Sequence, residues 1–89
     1  MDFDISDKAM EQLQKEFSGK TVRIFPQKKT WSGIIFDIAQ DEPKEDDNIY
    51  QIGSVKVLIK SKIESYAPFI NIDYESYKWG DDYVITTHF

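Results

Sequence analysis

The clearest fold signal in the chain is the stretch Ile49-Tyr50-Gln51-Ile52-Gly53-Ser54-Val55-Lys56-Val57-Leu58-Ile59-Lys60. In its second half, valine and isoleucine alternate with lysine and leucine, which is the period of a β-strand. Gly53-Ser54 fits a two-residue hairpin turn, because glycine adopts the backbone conformations that such turns need. The stretch therefore predicts an antiparallel hairpin.

A helix is predicted upstream of this hairpin, between Ser6 and Gly19. Ser6 suits the N-cap position, and Asp7 adds a negative charge to the first turn. Apolar side chains then recur at helical spacing, at Ala9, Met10, Leu13 and Phe17. We expect this apolar face to cover a sheet and glycine to end the helix.

Alternating apolar residues and turn residues predict the remaining elements. The predicted strands are 21–26, 34–39, 49–52, 55–60, 69–74 and 83–85, with loops at 27–33 and 41–48, a helical turn at 61–67 and a turn at 79–82. This order predicts an α+β fold of mostly antiparallel hairpins, with one N-terminal amphipathic helix and a short second helix. Because 89 residues hold one hydrophobic core, residues 1–89 are predicted to form a single domain.

The charge balance argues against nucleic acid as a partner. The formal net charge is −5 and the isoelectric point is near 4.7, whereas affinity for phosphate backbones comes from clustered lysine and arginine. Lys28 and Lys29 beside Trp31 have two interpretations, a stacking patch for nucleic acid or ordinary solvated lysines of a loop. The second is favoured.

Compartment is inferred from three further features. No apolar run approaches the roughly 18 residues that cross a bilayer. The start, Met1-Asp2-Phe3-Asp4, is acidic where a signal peptide is basic, and there is no cysteine to form a disulfide. We therefore expect a cytoplasmic protein without a membrane partner.

Three local sequences accompany this order of elements: Ile5-Ser6-Asp7-Lys8-Ala9, Asp41-Glu42-Pro43-Lys44-Glu45-Asp46-Asp47 and Ile70-Asn71-Ile72-Asp73-Tyr74. Together they resemble the A-type iron–sulfur carriers, or HesB-like domains, which are small proteins of iron–sulfur cluster biosynthesis. The resemblance spans nearly the whole chain and implies the HesB-like fold.

Carriers of this family are known for three cysteines, one in a hairpin loop after the first strand and two in a Cys-x-Cys near the C-terminus. The resemblance places Trp31 about where the first would be, and the chain ends at Thr86-Thr87-His88-Phe89, ahead of the pair. Iron–sulfur clusters are usually held by thiolates, and an indole has no lone pair to replace one. We therefore expect no cofactor, and the resemblance to a short, cysteine-free branch implies no established activity.

Two sets of oxygen or nitrogen ligands remain open for a metal ion. The carboxylates of residues 41–47 suit hard cations, but their spacing fits no EF-hand loop, and a solvated acidic loop is the simpler interpretation. Asp81 and Asp82 with His88 offer a weak carboxylate and imidazole set for iron, against a loosely ordered C-terminal histidine.

An enzyme is the least favoured class. Ser32 and Ser54 have no histidine near them in sequence, and no phosphate-binding loop or nucleophile elbow occurs. A small-molecule enzyme would need a deep pocket with convergent polar groups. The sequence predicts a non-enzymatic protein.

Aromatic residues in predicted loops are the candidates for a protein-binding or self-association surface. They are Trp31, Tyr77 and Trp79. Tryptophan and tyrosine are enriched at interface hot spots, although either can also cap the open end of a core. Core packing is favoured for Trp79, whereas both interpretations stay open for Trp31, whose loop is polar. The sequence thus predicts a protein-interaction or accessory module.

Overall fold

The computed structural model describes every residue from Met1 to Phe89. Its elements in chain order are β1 (Asp2–Ile5), α1 (Asp7–Phe17), β2 (Thr21–Thr30), β3 (Gly33–Gln40), β4 (Asp47–Ile52), β5 (Val55–Lys60), α2 (Ser61–Glu64), β6 (Phe69–Tyr77) and β7 (Gly80–His88). One seven-stranded sheet has the order β1-β6-β7-β3-β2-β5-β4. Four of its pairings are antiparallel and two are parallel. The predicted α+β architecture of mostly antiparallel strands is confirmed.

Helix α1 covers one face of the sheet and packs against β5 and β6. Ser6 is its N-cap, because its hydroxyl oxygen accepts a hydrogen bond from the Ala9 N–H at 3.2 Å. The same hydroxyl donates to Asp73 Oδ1 at 2.7 Å, which fastens the helix start to β6. Ala9 and Leu13 are fully buried against the sheet, as predicted, whereas Met10 of the same predicted face is exposed.

The core lies between α1 and the inner face of the sheet. Its large, fully buried side chains are Leu13, Val22, Ile24, Val55, Val57, Ile59, Ile70, Ile72 and Ile85. Each such side chain stabilises the fold by roughly 1.5–3 kcal/mol relative to an exposed position. With no disulfide to assist, this packing holds the chain together.

The hairpin predicted around Gly53-Ser54 is confirmed as β4 and β5, with Ile52 opposite Val55. Gly53 has a φ of +58°, and a Cβ there would lie 2.5 Å from Nε2 of Gln14. Gln14 donates to the Ile52 carbonyl at 3.0 Å and accepts from the Ser54 N–H at 2.8 Å. The turn is thus docked on α1.

Strand β1 is absent from the sequence prediction. It is only 4 residues long, and its single partner is β6, which it joins in parallel from Asp2 opposite Phe69 to Ile5 opposite Ile72. Short strands of this kind depend on a distant partner rather than on local propensity. Residues 2–5 are too few to show a strand by alternation, and their sequence does not indicate β6 as the partner.

Several predicted loops and turns are shorter in the structure. The predicted loop 27–33 is mostly strand, because β2 continues to Thr30 and pairs with β3 beyond a bulge at Gln27. The predicted turn 79–82 is also displaced, since β6 continues to Tyr77 and β7 begins at Gly80. Polar residues fill both regions because their strands are exposed, and exposed strands lose the apolar alternation.

Neither helix is long and apolar enough to cross a membrane.

Candidate functional site

Trp31 lies at the tip of the β2–β3 hairpin and is 95% exposed. The turn beneath it is fixed by the Thr30 hydroxyl, which donates to the Gly33 carbonyl at 3.0 Å. The end of β7 lies beside the same turn, because the Phe89 N–H donates to the Ser32 carbonyl at 3.0 Å. We call Trp31, Ser32, His88 and Phe89 the hairpin end.

Gly33 makes the close approach at the hairpin end possible. It lies opposite His88 in the β3–β7 ladder, and a Cβ at this position would be 2.1 Å from the Thr87 carbonyl oxygen. Because that neighbour is backbone and cannot move aside cheaply, any side chain would push the two strands apart. Glycine therefore determines how near the β7 end comes to Trp31.

The hairpin end exposes apolar surface. Phe89 is 66% exposed, and Ile35 is also exposed on β3. A large aromatic ring left in water forfeits roughly 1.5–3 kcal/mol that burial would give. Exposed aromatics on a rigid turn are typical of protein contact surfaces, with tryptophan the commonest hot-spot residue.

Tyr77 and Trp79 lie at the opposite end of the sheet, at the turn between β6 and β7. Their rings stack with centroids 4.9 Å apart and an interplanar angle of 3°. Trp79 is 81% exposed, so the favoured interpretation that it packs in the core was wrong. Tyr77 gives it a second aromatic surface to lie against, which replaces the missing core contacts. We call this pair the aromatic tip.

The structure does not bring together the weak metal candidates. Asp81 and Asp82 lie at the start of β7 and His88 at its end. A strand rises about 3.3 Å per residue, so Asp81 and His88 are about 23 Å apart. No group of three or more histidine, cysteine, aspartate or glutamate side chains is placed to hold a metal ion.

The acidic segment 41–47 is exposed from Glu42 to Asp46, as predicted for a solvated loop, but its two ends, Asp41 and Asp47, fold back onto β2. Arg23 donates from Nε to Asp41 Oδ2 at 2.6 Å and from Nη1 and Nη2 to the two oxygens of Asp47 at 2.5 and 2.6 Å. The side chain of Asp47 is fully buried. Bidentate pairing of this kind is geometrically specific and strong. The carboxylates of Asp41 and Asp47 are therefore both paired with Arg23.

The guanidinium changes the acidity of its partners. Hydrogen bonds from Arg23 lower the pKa of Asp41 and of Asp47 to about 2. The same bonds, led by the one to Asp47, raise the pKa of Arg23. Lys60 pairs with Asp46 at 3.0 Å and lowers the pKa of that carboxyl too. Sequence reasoning missed this network, since the partners of Arg23 lie 18 and 24 residues away.

The two serines considered as nucleophiles have structural partners. Ser54 donates to Gln14 Oε1 at 2.6 Å and contacts the Ser18 hydroxyl at 2.8 Å. Ser32 shares an open depression of about 280 Å³ with His88, but its hydroxyl lies 3.4 Å from that of Thr30. No serine is hydrogen-bonded to the imidazole of the chain, so no nucleophile and base pair is assembled.

A half-buried polar cluster joins α2 to β4. Glu64 accepts a hydrogen bond from Asn48 at 3.0 Å and another from the Tyr50 hydroxyl. Burial, followed by the hydrogen bond to Glu64, raises the pKa of Tyr50 to about 12. Phe3 packs edge-on against the Tyr50 ring at 5.4 Å. These contacts tie α2 to the β4 edge of the sheet.

No protein-family model matches the chain, and no curated protein matches it in sequence. Solved structures do match. A crystal structure of IscA with the [2Fe-2S] cluster has a TM-score of 0.71 and 17% identity, covering 96% of this chain and 84% of IscA. The crystal structure of Escherichia coli SufA, involved in biosynthesis of iron–sulfur clusters, has a TM-score of 0.65 and 13% identity over 94% of this chain and 78% of SufA.

A solution NMR structure of a protein from Aquifex aeolicus has a TM-score of 0.67 and 25% identity, covering 93% of this chain and 88% of that protein. These similarities extend over nearly the whole chain, as the sequence resemblance implied. The Trp31 turn, about where the resemblance places the first cysteine of the carriers, meets the end of β7 at one end of the molecule. The chain has the HesB-like fold of the A-type iron–sulfur carriers and contains no cysteine.

Proposed function

We propose that this protein is a non-enzymatic interaction or accessory module related to iron–sulfur cluster biogenesis, which binds a protein partner, or a second copy of itself, through the hairpin end. The observation that carries the proposal is the position of Trp31. It is 95% exposed on the turn that corresponds, by resemblance, to a cysteine-bearing loop of the carriers. An aromatic contact there takes the place of a metal ligand.

The chemistry of the hairpin end supports binding rather than cluster carriage. Soft iron–sulfur clusters need thiolates, and the chain has none. Trp31 and Phe89 instead offer two exposed rings on backbone that is held by strand pairing. Because the backbone is fixed, a partner that buries these rings orders little besides their side chains, which keeps the entropic cost of binding low.

The remaining surface supports the same class of function. The depressions of the molecule are open and have volumes between about 210 and 280 Å³, smaller than the usual range for small-molecule pockets. Ser32 and Ser54 have structural partners. These features favour a binding module over an enzyme.

Two tryptophan variants give a matched test. Trp31→Ala and Trp79→Ala each remove one exposed indole, at opposite ends of the sheet, and neither residue belongs to the core. The wild-type protein and both variants carry an N-terminal tag and are captured anaerobically from the host cytosol, and bound proteins are quantified by mass spectrometry.

We expect an iron–sulfur assembly protein or an iron–sulfur apoprotein to be lost with Trp31→Ala and retained with Trp79→Ala. Loss of a hot-spot tryptophan costs about 2 kcal/mol or more, which is roughly thirtyfold in affinity. Equal recovery by wild type and Trp31→Ala would contradict the site. Recovery of partners with no link to iron–sulfur proteins would contradict the pathway.

A further inference from the structure

The β3–β7 ladder covers only part of the two strands. It pairs Gly33–Phe36 with Ile85–His88 and then stops. Strand β3 continues to Gln40, and β7 begins at Gly80. Beyond the last pair the two strands therefore have free edges that face a common opening. We call this opening the split.

The pattern of hydrogen bonding shows which backbone groups face the split. The Phe89 N–H donates to the Ser32 carbonyl, so positions that bond across this ladder recur at every second residue along both strands. If the same alternation continues beyond the ladder, the N–H of Ile38 on β3 and the N–H of Tyr83 on β7 both point into the split. Neither has a strand opposite it.

Each of these two N–H groups instead donates a hydrogen bond to the side chain of the preceding aspartate. The Ile38 N–H donates to Asp37 Oδ1 at 2.7 Å, and the Tyr83 N–H donates to Asp82 Oδ1 at 2.8 Å. An added strand would supply carbonyl oxygens for the same N–H groups, as strand addition to a free sheet edge does elsewhere. The two aspartates would then be released to pair with side chains of that strand.

The charge around the split is uncompensated. The opening has a volume of about 210 Å³, and four carboxylates line it: Glu16, Asp37, Asp81 and Asp82. None of the four takes part in an ion pair, whereas the acidic segment has Arg23 and Lys60. A cationic side chain is therefore the group that the split lacks.

Aromatic rings form the inner wall of the split. Phe17 and Tyr83 lie with centroids 6.4 Å apart, and the Tyr83 hydroxyl donates to Glu16 Oε2 at 3.0 Å. Ring faces attract cations and accept the methylene stems of lysine and arginine.

We propose that the split binds an extended basic segment of a partner protein, which pairs as a strand with the free edge of β7 and places a lysine or arginine side chain between Asp37 and Asp82. The free edges supply the backbone bonds, and the unpaired carboxylates select the basic partner. The hairpin end lies at the other end of β7, so this proposal does not depend on the function proposed for Trp31.

A peptide titration tests the proposal. The probe is a hexapeptide of alternating valine and lysine with blocked ends, and its matched control has glutamate in place of lysine. Amide chemical shifts of ¹⁵N-labelled protein are followed during each titration. We expect the lysine peptide to shift the Ile38, Asp82 and Tyr83 amides most, and to bind at least about tenfold more tightly than the glutamate peptide.

Asp82→Asn and Glu45→Gln form the matched variants, because each removes one negative charge and only the first lines the split. We expect Asp82→Asn to weaken the lysine peptide about fivefold more than Glu45→Gln does. The proposal is overturned by no shift at Ile38 and Tyr83 at millimolar peptide, by equal binding of the two peptides, or by equal effects of the two variants. Shifts spread over the whole acidic surface overturn it too.

Discussion

The acidic segment 41–47 and the split are both rich in carboxylates, but only the first contains a cation. In the acidic segment Arg23 binds Asp41 and Asp47, and the Asp47 side chain is fully buried. In the split, Asp37 and Asp82 are exposed and hydrogen-bond to the next residue's N–H. The carboxylates of Asp41 and Asp47 form ion pairs within the fold, whereas those of Asp37 and Asp82 remain available to a partner.

The difference shows that a run of acidic residues does not by itself indicate either solvent or a ligand. Asp41 and Asp47 belong to the densest acidic stretch of the chain and are structural. Asp37 and Asp82 are outside that stretch, in strands β3 and β7, and they lie beside an unpaired sheet edge. What separates them is whether the fold brings an arginine to within hydrogen-bonding distance.

The largest effect is expected for Arg23→Met. The substitution leaves Asp47 buried without its charge partner, and breaking a buried pair on one side costs about 4 kcal/mol. Urea unfolding at neutral pH measures it. Lys28→Met is the matched control, because it removes an exposed cation from the same strand and should change the free energy of unfolding by less than about 0.5 kcal/mol.

A smaller loss is expected for Asp47→Asn. The amide keeps the shape and one acceptor oxygen, and Arg23 retains Asp41, so we expect a destabilisation of about 2 kcal/mol by the same urea measurement. Asp82→Asn makes the identical chemical change in the split. If both variants unfolded at the same urea concentration, the contrast between the two regions would be wrong.

The acidic segment should also dominate the loss of stability in acid. The pKa values of Asp41 and Asp47 are lowered from 3.8 to about 2, so the unfolded chain takes up protons at a higher pH than the folded one. Their stabilisation is fully present above about pH 4 and is lost as pH falls toward 2. Melting temperatures between pH 5 and pH 2 should fall more steeply for wild type than for Arg23→Met. Parallel curves would contradict this.

The smallest effect is expected in the split itself. Asp37→Asn keeps an acceptor for the Ile38 N–H and removes no ion pair, so the free energy of unfolding should change by less than about 0.5 kcal/mol. Calorimetric melting of this variant beside wild type measures the change. A loss above about 1 kcal/mol would assign Asp37 to the structural group together with Asp47.

Local patterns predicted the elements that are also stabilised locally. The β4–β5 hairpin follows from apolar alternation around Gly53, and α1 follows from Ser6 and the spacing of Ala9, Leu13 and Phe17. These signals depend on residues within one strand or one turn of helix. The resemblance to the carriers supplied the overall arrangement, which the structural neighbours confirm.

Features that depend on distant residues could not be predicted. Strand β1 is recognisable only beside β6, which is more than 60 residues away in sequence. In the sequence Arg23 resembles any other strand residue, because its partners Asp41 and Asp47 come close only in the folded chain. The exposure of Trp79 depends on how far the β6–β7 hairpin extends. The split arises from where a ladder ends, which no single segment specifies.

We propose that the carrier fold acts in this chain without a cluster, and anaerobic reconstitution with ferric iron and sulfide tests that most directly. After desalting, we expect no bound iron or sulfide and no visible charge-transfer absorption, while IscA treated in parallel retains iron and sulfide. Stoichiometric iron and sulfide on this protein would contradict it, and their loss in His88→Ala would identify a ligand other than cysteine.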